Sequence, residues 1–70
     1  GQLEAIRRLE RSGRLETLPD KLQEAARLRA AHPEDTLAQL AEQCSPPVTK
    51  SALNHRLRKL VELGGQVEDI

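Results

Sequence analysis

The segment at residues 46–60, PPVTKSALNHRLRKL, limits what this chain can fold into more than any other segment. Two prolines mark a turn, and Thr49 is placed to cap a helix that begins near Lys50. Leucines recur in that helix at helical spacing, and cationic or short polar side chains fill the positions between them. Such a turn and helix are typical of the second half of a helix-turn-helix unit, whose second helix enters a groove of DNA.

The leucines of this helix define its core side. At about 100° per residue, Leu57 and Leu60 fall close to Leu53, and Val61 lies nearer the edge of the same side. We therefore expect these four residues to face the core. The remaining positions are polar, and in a helix-turn-helix unit they would face DNA.

The polar positions fall into two predicted groups of DNA contacts. Side chains near the start of a recognition helix reach base edges, where Arg matches guanine and Asn matches adenine. The predicted base contacts are Lys50, Ser51, Asn54, His55 and Arg58. Hydroxyls, flanking cations and helix amides hold phosphates. The predicted phosphate contacts are Thr36, Thr49, Arg56 and Lys59.

Composition limits the chain to one small domain. A chain of 70 residues buries only about 60% of its unfolded surface, so we expect no enzyme, cofactor or small-molecule substrate. The chain has no aromatic residue, which argues against single-stranded nucleic acids, since those bind by stacking. The single Cys44 excludes an internal disulfide. Neither a signal peptide nor a long apolar run occurs, so we expect a cytoplasmic, nucleoid-associated protein without membrane contact.

The net charge is zero, but the charges are segregated along the chain. Residues 1–14 carry +2, residues 15–42 carry −3, residues 43–61 carry +4 and residues 62–70 carry −3. The +4 block contains no acid and coincides with the proline-marked turn and the helix after it. Charges act mainly within a Debye length of about 8–10 Å, so this block matters more for docking than the net charge does.

Wherever apolar residues recur regularly along the chain, their spacing is that of a helix, which predicts an all-α domain of four helices. The predicted helices cover residues 2–12, 19–31, 37–44 and a fourth segment from Lys50 that ends before Gly64 and Gly65. Gly13 and Pro33 are expected to end the first and second helices. Thr36 and Gln39 form a capping box that starts the third helix.

The first three helices supply the rest of the predicted core. The apolar positions are Leu3, Ile6 and Leu9 in the first helix, Leu22, Ala25, Ala26 and either Leu28 or Arg29 in the second, and Leu37, Leu40 and Ala41 in the third. We expect residues 1–17 to form a lead-in helix and linker, residues 18–64 to form the helix-turn-helix domain and residues 65–70 to fray.

The turn before the fourth helix departs from the common spacing. In many helix-turn-helix units a core alanine precedes a turn glycine by about four residues and a core aliphatic residue of the second helix by about ten. Here Ser45 takes the glycine position after Ala41, and Leu53 comes two residues late. With Pro46 and Pro47, the turn is predicted to be longer and stiffer than usual, and the angle between the two helices to differ.

Residues 18–60 resemble the C-terminal domain of the WhiA family of sporulation and cell-division regulators. The most specific part is residues 46–60, where the family typically shows PPVSKSGVNHRLRKL; Thr49, Ala52 and Leu53 differ from it. The string LPDKLQEAARLRAAHP at residues 18–33 is a second match.

The resemblance implies a fold and a biological role. WhiA-like proteins join a degenerate, LAGLIDADG-endonuclease-like N-terminal domain to a C-terminal helix-turn-helix domain, which is similar to the −35-reading domain of sigma factors. The resemblance implies a domain that binds double-stranded promoter DNA in a transcription regulator of Gram-positive bacteria, notably actinobacteria. Sporulation and cell-division genes would be its targets.

A helical protein-interaction module is the alternative. The leucine-rich residues 3–18 could exceed what a small core absorbs, and the acidic segment at residues 15–42 could meet a basic partner. Such a module would contact a sigma factor, RNA polymerase or another regulator. A transcription factor can combine both functions.

Metal binding and catalysis are two further hypotheses, which concern the histidines, Cys44 and Ser51. His32, Cys44 and His55 lack the close spacing of a metal site, so we expect no metal. Ser51 and His55 are one helical turn apart, but the sequence offers no oxyanion hole or orienting acid for a nucleophile.

Overall fold

The computed structural model describes residues 1–67 and contains, within that range, four α-helices and no strand. The helices are α1 (Gln2–Arg11), α2 (Asp20–Ala31), α3 (Leu37–Gln43) and α4 (Lys50–Gly65), and a short 3₁₀ helix at Leu15–Thr17 joins α1 to α2. The prediction of an all-α, four-helix fold is confirmed. Except at the end of α4, each predicted boundary lies within one residue of the observed one.

The signals predicted for the end of α1 and for the starts of α3 and α4 are confirmed in the structure. Gly13 follows α1 with a φ of 77°, a left-handed conformation that glycine adopts without steric cost. At the start of α3, the Thr36 hydroxyl accepts the Gln39 N–H at 3.2 Å, and the Gln39 side-chain oxygen accepts the Thr36 N–H at 2.8 Å. The Thr49 hydroxyl caps α4 by accepting the Ala52 N–H at 3.0 Å.

The core is centred on α4, which packs against each of the other three helices. Leu53, Leu57 and Leu60 are at most 1% exposed, which confirms the predicted leucine side. The other buried core residues are Ile6 and Leu9 from α1, Ala25 and Ala26 from α2, and Leu40, Ala41 and Cys44 from α3 and its C-cap. The predicted face of α4 is wrong only at Val61, which is 40% exposed. Val61 lies at the edge of the leucine side, beside a shallow groove between α1 and α4.

Of the two residues predicted as alternatives for the core face of α2, Arg29 is the buried one, at 9% exposed, while Leu28 packs half-buried against the core. The Arg29 guanidinium donates hydrogen bonds to the carbonyls of His32 (3.0 Å), Pro33 and Asp35 (3.0 Å). These bonds offset the cost of burying the charge. They also close the turn from α2 into the cap of α3.

The prediction that Gly64 and Gly65 end α4 is wrong. The helix continues through both residues and is capped by Gln66. Gly64 is buried because α1 crosses α4 there: a Cβ at Gly64 would lie 2.6 Å from the Cβ of Ala5. Of the tail predicted at residues 65–70, Val67 packs against the core, and residues 68–70 lie outside the described range.

The core covers the apolar side chains of residues 3–18, so they are not left over as an exposed patch. Ile6 and Leu9 are fully buried, Leu15 and Leu18 pack against the core from the connection to α2, and Leu3 is half-buried. Within residues 1–67, Val61 is the one large hydrophobic residue that is exposed. The proposed division between a lead-in segment and the domain stays a prediction, although α1 makes the most extensive helix–helix contact, with α4.

Candidate nucleic-acid interface

Hydrogen bonds from two directions fix the turn that presents α4. The Glu24 carboxylate, on α2, accepts the Ser45 N–H at 3.0 Å. The Val48 N–H donates back to the Ala41 carbonyl of α3 at 3.0 Å. Since Ala41 and Leu53 are both buried, α3, the turn and α4 pack as a helix-turn-helix unit with six residues between the helices, 44–49.

Cys44 anchors the start of this turn in the core. Its side chain is 3% exposed, and its thiol donates to the Leu40 carbonyl at 3.5 Å. Burial raises the pKa of the Cys44 thiol, and the Glu24 carboxylate beside it raises that pKa further, against a smaller opposing effect of Arg56. Cys44 is therefore a small core hydrophobe.

The exposed side of α4 carries most of the predicted base contacts. Lys50, Ser51, His55 and Arg58 are exposed to solvent, and Asn54 is half-buried on the flank. The leucine side fixes the rotation of the helix, so this polar side faces away from the protein. The structure thus places four of the five side chains where an external ligand can reach them.

Three of the predicted DNA contacts and one acidic residue line a groove of about 320 Å³. It is lined by His55, Arg58, Lys59 and Glu62. The Lys59 ammonium lies 3.9 Å from the Glu62 carboxylate, and both side chains are about half exposed. Such an exposed pair is weak, so a phosphate can compete with Glu62 for Lys59.

A second groove, of about 600 Å³, separates α4 from the start of α2. On the α4 side it is lined by Thr49, Ser51, Ala52, His55 and Arg56, and on the α2 side by Pro19, Lys21 and Leu22. It therefore combines predicted base contacts and predicted phosphate contacts in one concave surface. Lys21 is absent from the predicted site, since the packing of α2 on α4 that brings it there has no signature in a local pattern.

The two threonines keep a hydrogen atom available for a ligand. Thr36 and Thr49 each use the hydroxyl oxygen to accept a helix N–H. A hydroxyl that accepts can still donate its own hydrogen to a phosphate oxygen. Thr49 lines the larger groove, whereas Thr36 lies at the end of α3 remote from the turn and outside both grooves.

Residues 1–67 contain neither a cluster of metal-ligating side chains nor a helix suited to span a membrane. No three His, Cys, Asp or Glu side chains in this range are grouped so that they could hold a metal ion. None of the helices in the same range has the length and apolar character that crossing a membrane requires.

The fold and the turn define this protein as a helix-turn-helix domain. Residues 1–64 match the family of WhiA C-terminal helix-turn-helix domains, and the chain belongs to that family. The match confirms the resemblance seen at residues 18–60 and extends it to α1.

Curated relatives agree with this assignment. The chain is similar to proteins named "Probable cell division protein WhiA" from several bacteria. Identity is 48% over 67 residues in Symbiobacterium thermophilum, covering 96% of this chain and 21% of that protein. It is 46% in Lactococcus lactis subsp. cremoris and 45% in Staphylococcus epidermidis, each covering 97% of this chain and 22% of the relative. The chain thus spans about a fifth of the relatives' length. No solved structure gave a significant match.

Proposed function

We propose that this domain binds double-stranded DNA sequence-specifically, with the exposed side of α4 in the major groove. The observation that carries the proposal is the acid-free block at residues 43–61, whose four cations lie on a helix held by a buried leucine side. An α-helix fits the major groove, and its N-terminal half reaches the base edges.

The base contacts in this proposal lie in the first two and a half turns of α4, where four of the five side chains are exposed and Asn54 is half-buried on the flank. Arg58 donates to guanine O6 and N7, and Asn54 pairs with adenine N6 and N7. Lys50, Ser51 and His55 complete the base-reading surface. Ser51 and Asn54 are short, so the helix backbone can approach the bases closely.

The phosphate contacts hold α4 in register. Arg56 and Lys59 flank the base-reading surface, and the Thr49 and Thr36 hydroxyls donate from the caps of α4 and α3. Residues 43–61 carry four cations. If together they offset about four phosphate charges, log K falls with log salt concentration at a slope of about −3.6. A protein partner in place of DNA would give a much shallower slope.

The names of the relatives support a biological role. The relatives are named as probable cell division proteins, and we place this chain in a cytoplasmic, nucleoid-associated transcription regulator of cell-division and sporulation genes. A sigma factor or RNA polymerase is a natural additional partner of such a regulator. The exposed positions of Ser51 and His55 suit groove contacts and not an enclosed catalytic pair.

Amide shift mapping during a titration with duplex DNA tests the proposal directly. We expect the largest shifts at residues 49–59 and at the first turn of α3. Shifts confined to residues 2–18 would contradict DNA binding by α4 and favour the protein-interaction module. A single-stranded oligonucleotide of the same sequence serves as the control ligand.

Arg58→Ala and Lys59→Ala separate base reading from phosphate binding. Arg58→Ala is expected to cost about 1–3 kcal/mol and to relax preference at one base position. Lys59→Ala should weaken binding to all sequences alike and make the salt slope less steep by about 0.9. Binding by Arg58→Ala as tight and as selective as that of the parent would refute the base contact.

A further inference from the structure

The groove between α2 and α4 has the composition of a cleft for a polyanion backbone. Lys21 stands on its α2 wall and Arg56 on its α4 wall, and Pro19, Leu22 and Ala52 supply apolar surface in the same groove. No Asp or Glu lines it; Asp20, although adjacent to Lys21 in the chain, lies outside the lining.

Neither cation of this groove is neutralised by the protein. Within residues 1–67, the Lys21 and Arg56 side chains form no ion pair or hydrogen bond with another residue. Two positive charges that share one groove repel each other, and the attraction of both to an anion between them outweighs that repulsion. The concave shape concentrates the positive potential there.

The position of Lys21 does not serve α2 itself. It is the second residue of that helix, where the helix dipole is positive and a cation is unfavourable. An anion close to the Lys21 ammonium would offset this cost. The same dipole then adds to the attraction, since the start of α2 favours negative charge.

We propose that this groove receives the sugar-phosphate backbone of one DNA strand, with Lys21 as a phosphate contact supplied by α2. The inference rests on the proposed function, because the backbone reaches the groove only when the exposed side of α4 lies against the duplex. Ser51 and His55 line this protein groove and also belong to the base-reading surface. A DNA strand at the edge of the major groove would therefore lie next to the opening of the groove between α2 and α4. The apolar lining suits the C–H groups of deoxyribose.

Lys21→Ala and a matched control, Arg27→Ala, test the assignment. Both residues are exposed on α2 and both substitutions remove one positive charge. Arg27, however, lines a different groove, with Glu10, Leu15, Glu16 and Gln23. Duplex affinity is measured for the wild type and both variants at several salt concentrations, and thermal melting by circular dichroism establishes that each variant is folded.

We expect Lys21→Ala to lose affinity about eightfold at 0.1 M salt, from one contact at about −0.9 in slope, and the loss to vanish near 1 M. The loss should be equal on a specific and an unrelated duplex, because phosphates carry no sequence information. Arg27→Ala should stay close to the wild type.

The outcomes separate this inference from the proposed function. If the wild-type domain binds no duplex, the proposed function fails and the inference fails with it. If the wild type binds and Lys21→Ala matches Arg27→Ala in affinity and slope, the inference alone is overturned. The affinity of each protein for polyglutamate is measured in the same way. If Lys21→Ala binds polyglutamate more weakly than the wild type but binds DNA equally well, the inference is also overturned, and the groove is assigned to an acidic protein partner.

Discussion

At Arg29 the fold buries a charged side chain and uses it to shape the backbone. The guanidinium donates to three carbonyls of the α2–α3 turn, so the turn carries its own hydrogen-bond donor inside the structure. Lysine would replace it less well, because an ammonium is more strongly hydrated than a guanidinium and costs more to bury. The turn is also held by a hydrogen bond from the Asp35 N–H to the His32 carbonyl at 3.2 Å, so Arg29 acts together with the backbone in leading the chain to Thr36.

The buried thiol of Cys44 leads to a prediction about how the stability of the domain depends on pH. Because burial raises the pKa of the folded thiol, the folded state holds its proton where the unfolded state has released it. The stabilising contribution is complete below the ordinary thiol pKa and is lost as the pH rises through that value towards the raised one. In urea titrations, the midpoint of the wild type should therefore fall more between pH 7.5 and pH 10 than that of Cys44→Ala.

The Cys44→Ala variant also controls for the other groups that titrate at high pH, since it keeps all of them. Equal changes of midpoint with pH in the two proteins would show that the thiol titrates alike in the folded and unfolded states. Slow reaction of the folded wild type with a thiol reagent at pH 8, accelerated by urea, would support the buried position independently.

At the scale of the elements, the crossing of α1 over α4 depends on Gly64. A Cβ there would lie 2.6 Å from the Ala5 Cβ, 2.8 Å from its Cα and 2.9 Å from its carbonyl oxygen. Backbone atoms are among these neighbours, so the clash cannot be relieved by a rotamer change alone. Gly64→Ala is expected to destabilise the domain by about 1–3 kcal/mol through overpacking, measured by urea denaturation.

Gly65→Ala is the matched control for Gly64→Ala. It lies in the same helix, and apart from its chain neighbours and its own helix backbone no heavy atom would come within 4 Å of its Cβ. Alanine has the higher helix propensity by up to about 1 kcal/mol, so this change should be neutral or stabilising. Destabilisation of the same size at both positions would show that glycine flexibility, and not the crossing, determines the effect.

The same two glycines show where sequence reasoning stops. Helix bounds and caps follow from local chemistry, and the Thr36–Gln39 box and the Thr49 cap are read directly from residue spacing. A Gly-Gly pair is an equally local sign of a helix end, but at Gly64 the close approach of a residue almost sixty positions away overrides it. Contacts of that range leave no local pattern.

Two further residues show what a helical wheel alone does not decide. The helical wheel places both Leu28 and Arg29 near the core side of α2, and only the path of the following turn decides for Arg29. Lys21 lies beside the candidate site because α2 packs on α4. The exposed residues of α4, by contrast, follow from its leucine period, so four of the five predicted base contacts are placed at the surface.

At the scale of the whole molecule, segregated charge and a small core work together. The domain has zero net charge, yet the exposed side of α4 is cationic and free of acid up to Glu62. Opposite charge on the rest of the surface limits nonspecific attraction to polyanions, while the local field near α4 remains. The buried side of the same helix must bind all other helices at once, so DNA affinity and stability depend on one element.

A core this small should respond strongly to the loss of one large side chain from α1. Ile6 and Leu9 are two of the six largest fully buried residues, and both come from the helix predicted to be a lead-in segment. We expect Leu9→Ala to lower the free energy of unfolding by about 2–5 kcal/mol. The exposed Arg7, on the same helix, is the control, and Arg7→Ala should change it by less than about 0.5 kcal/mol.

Urea denaturation followed by circular dichroism distinguishes an integral α1 from a detachable one. If α1 belongs to the cooperative unit, Leu9→Ala shifts one transition for the whole domain, and duplex DNA stabilises wild type and variant alike through α4. If α1 is only a lead-in, the variant keeps the main transition at the wild-type urea concentration and loses helical signal in a separate, earlier step. That result would assign the cooperative unit to residues 18–64, with the crossing at Gly64 as a weak contact.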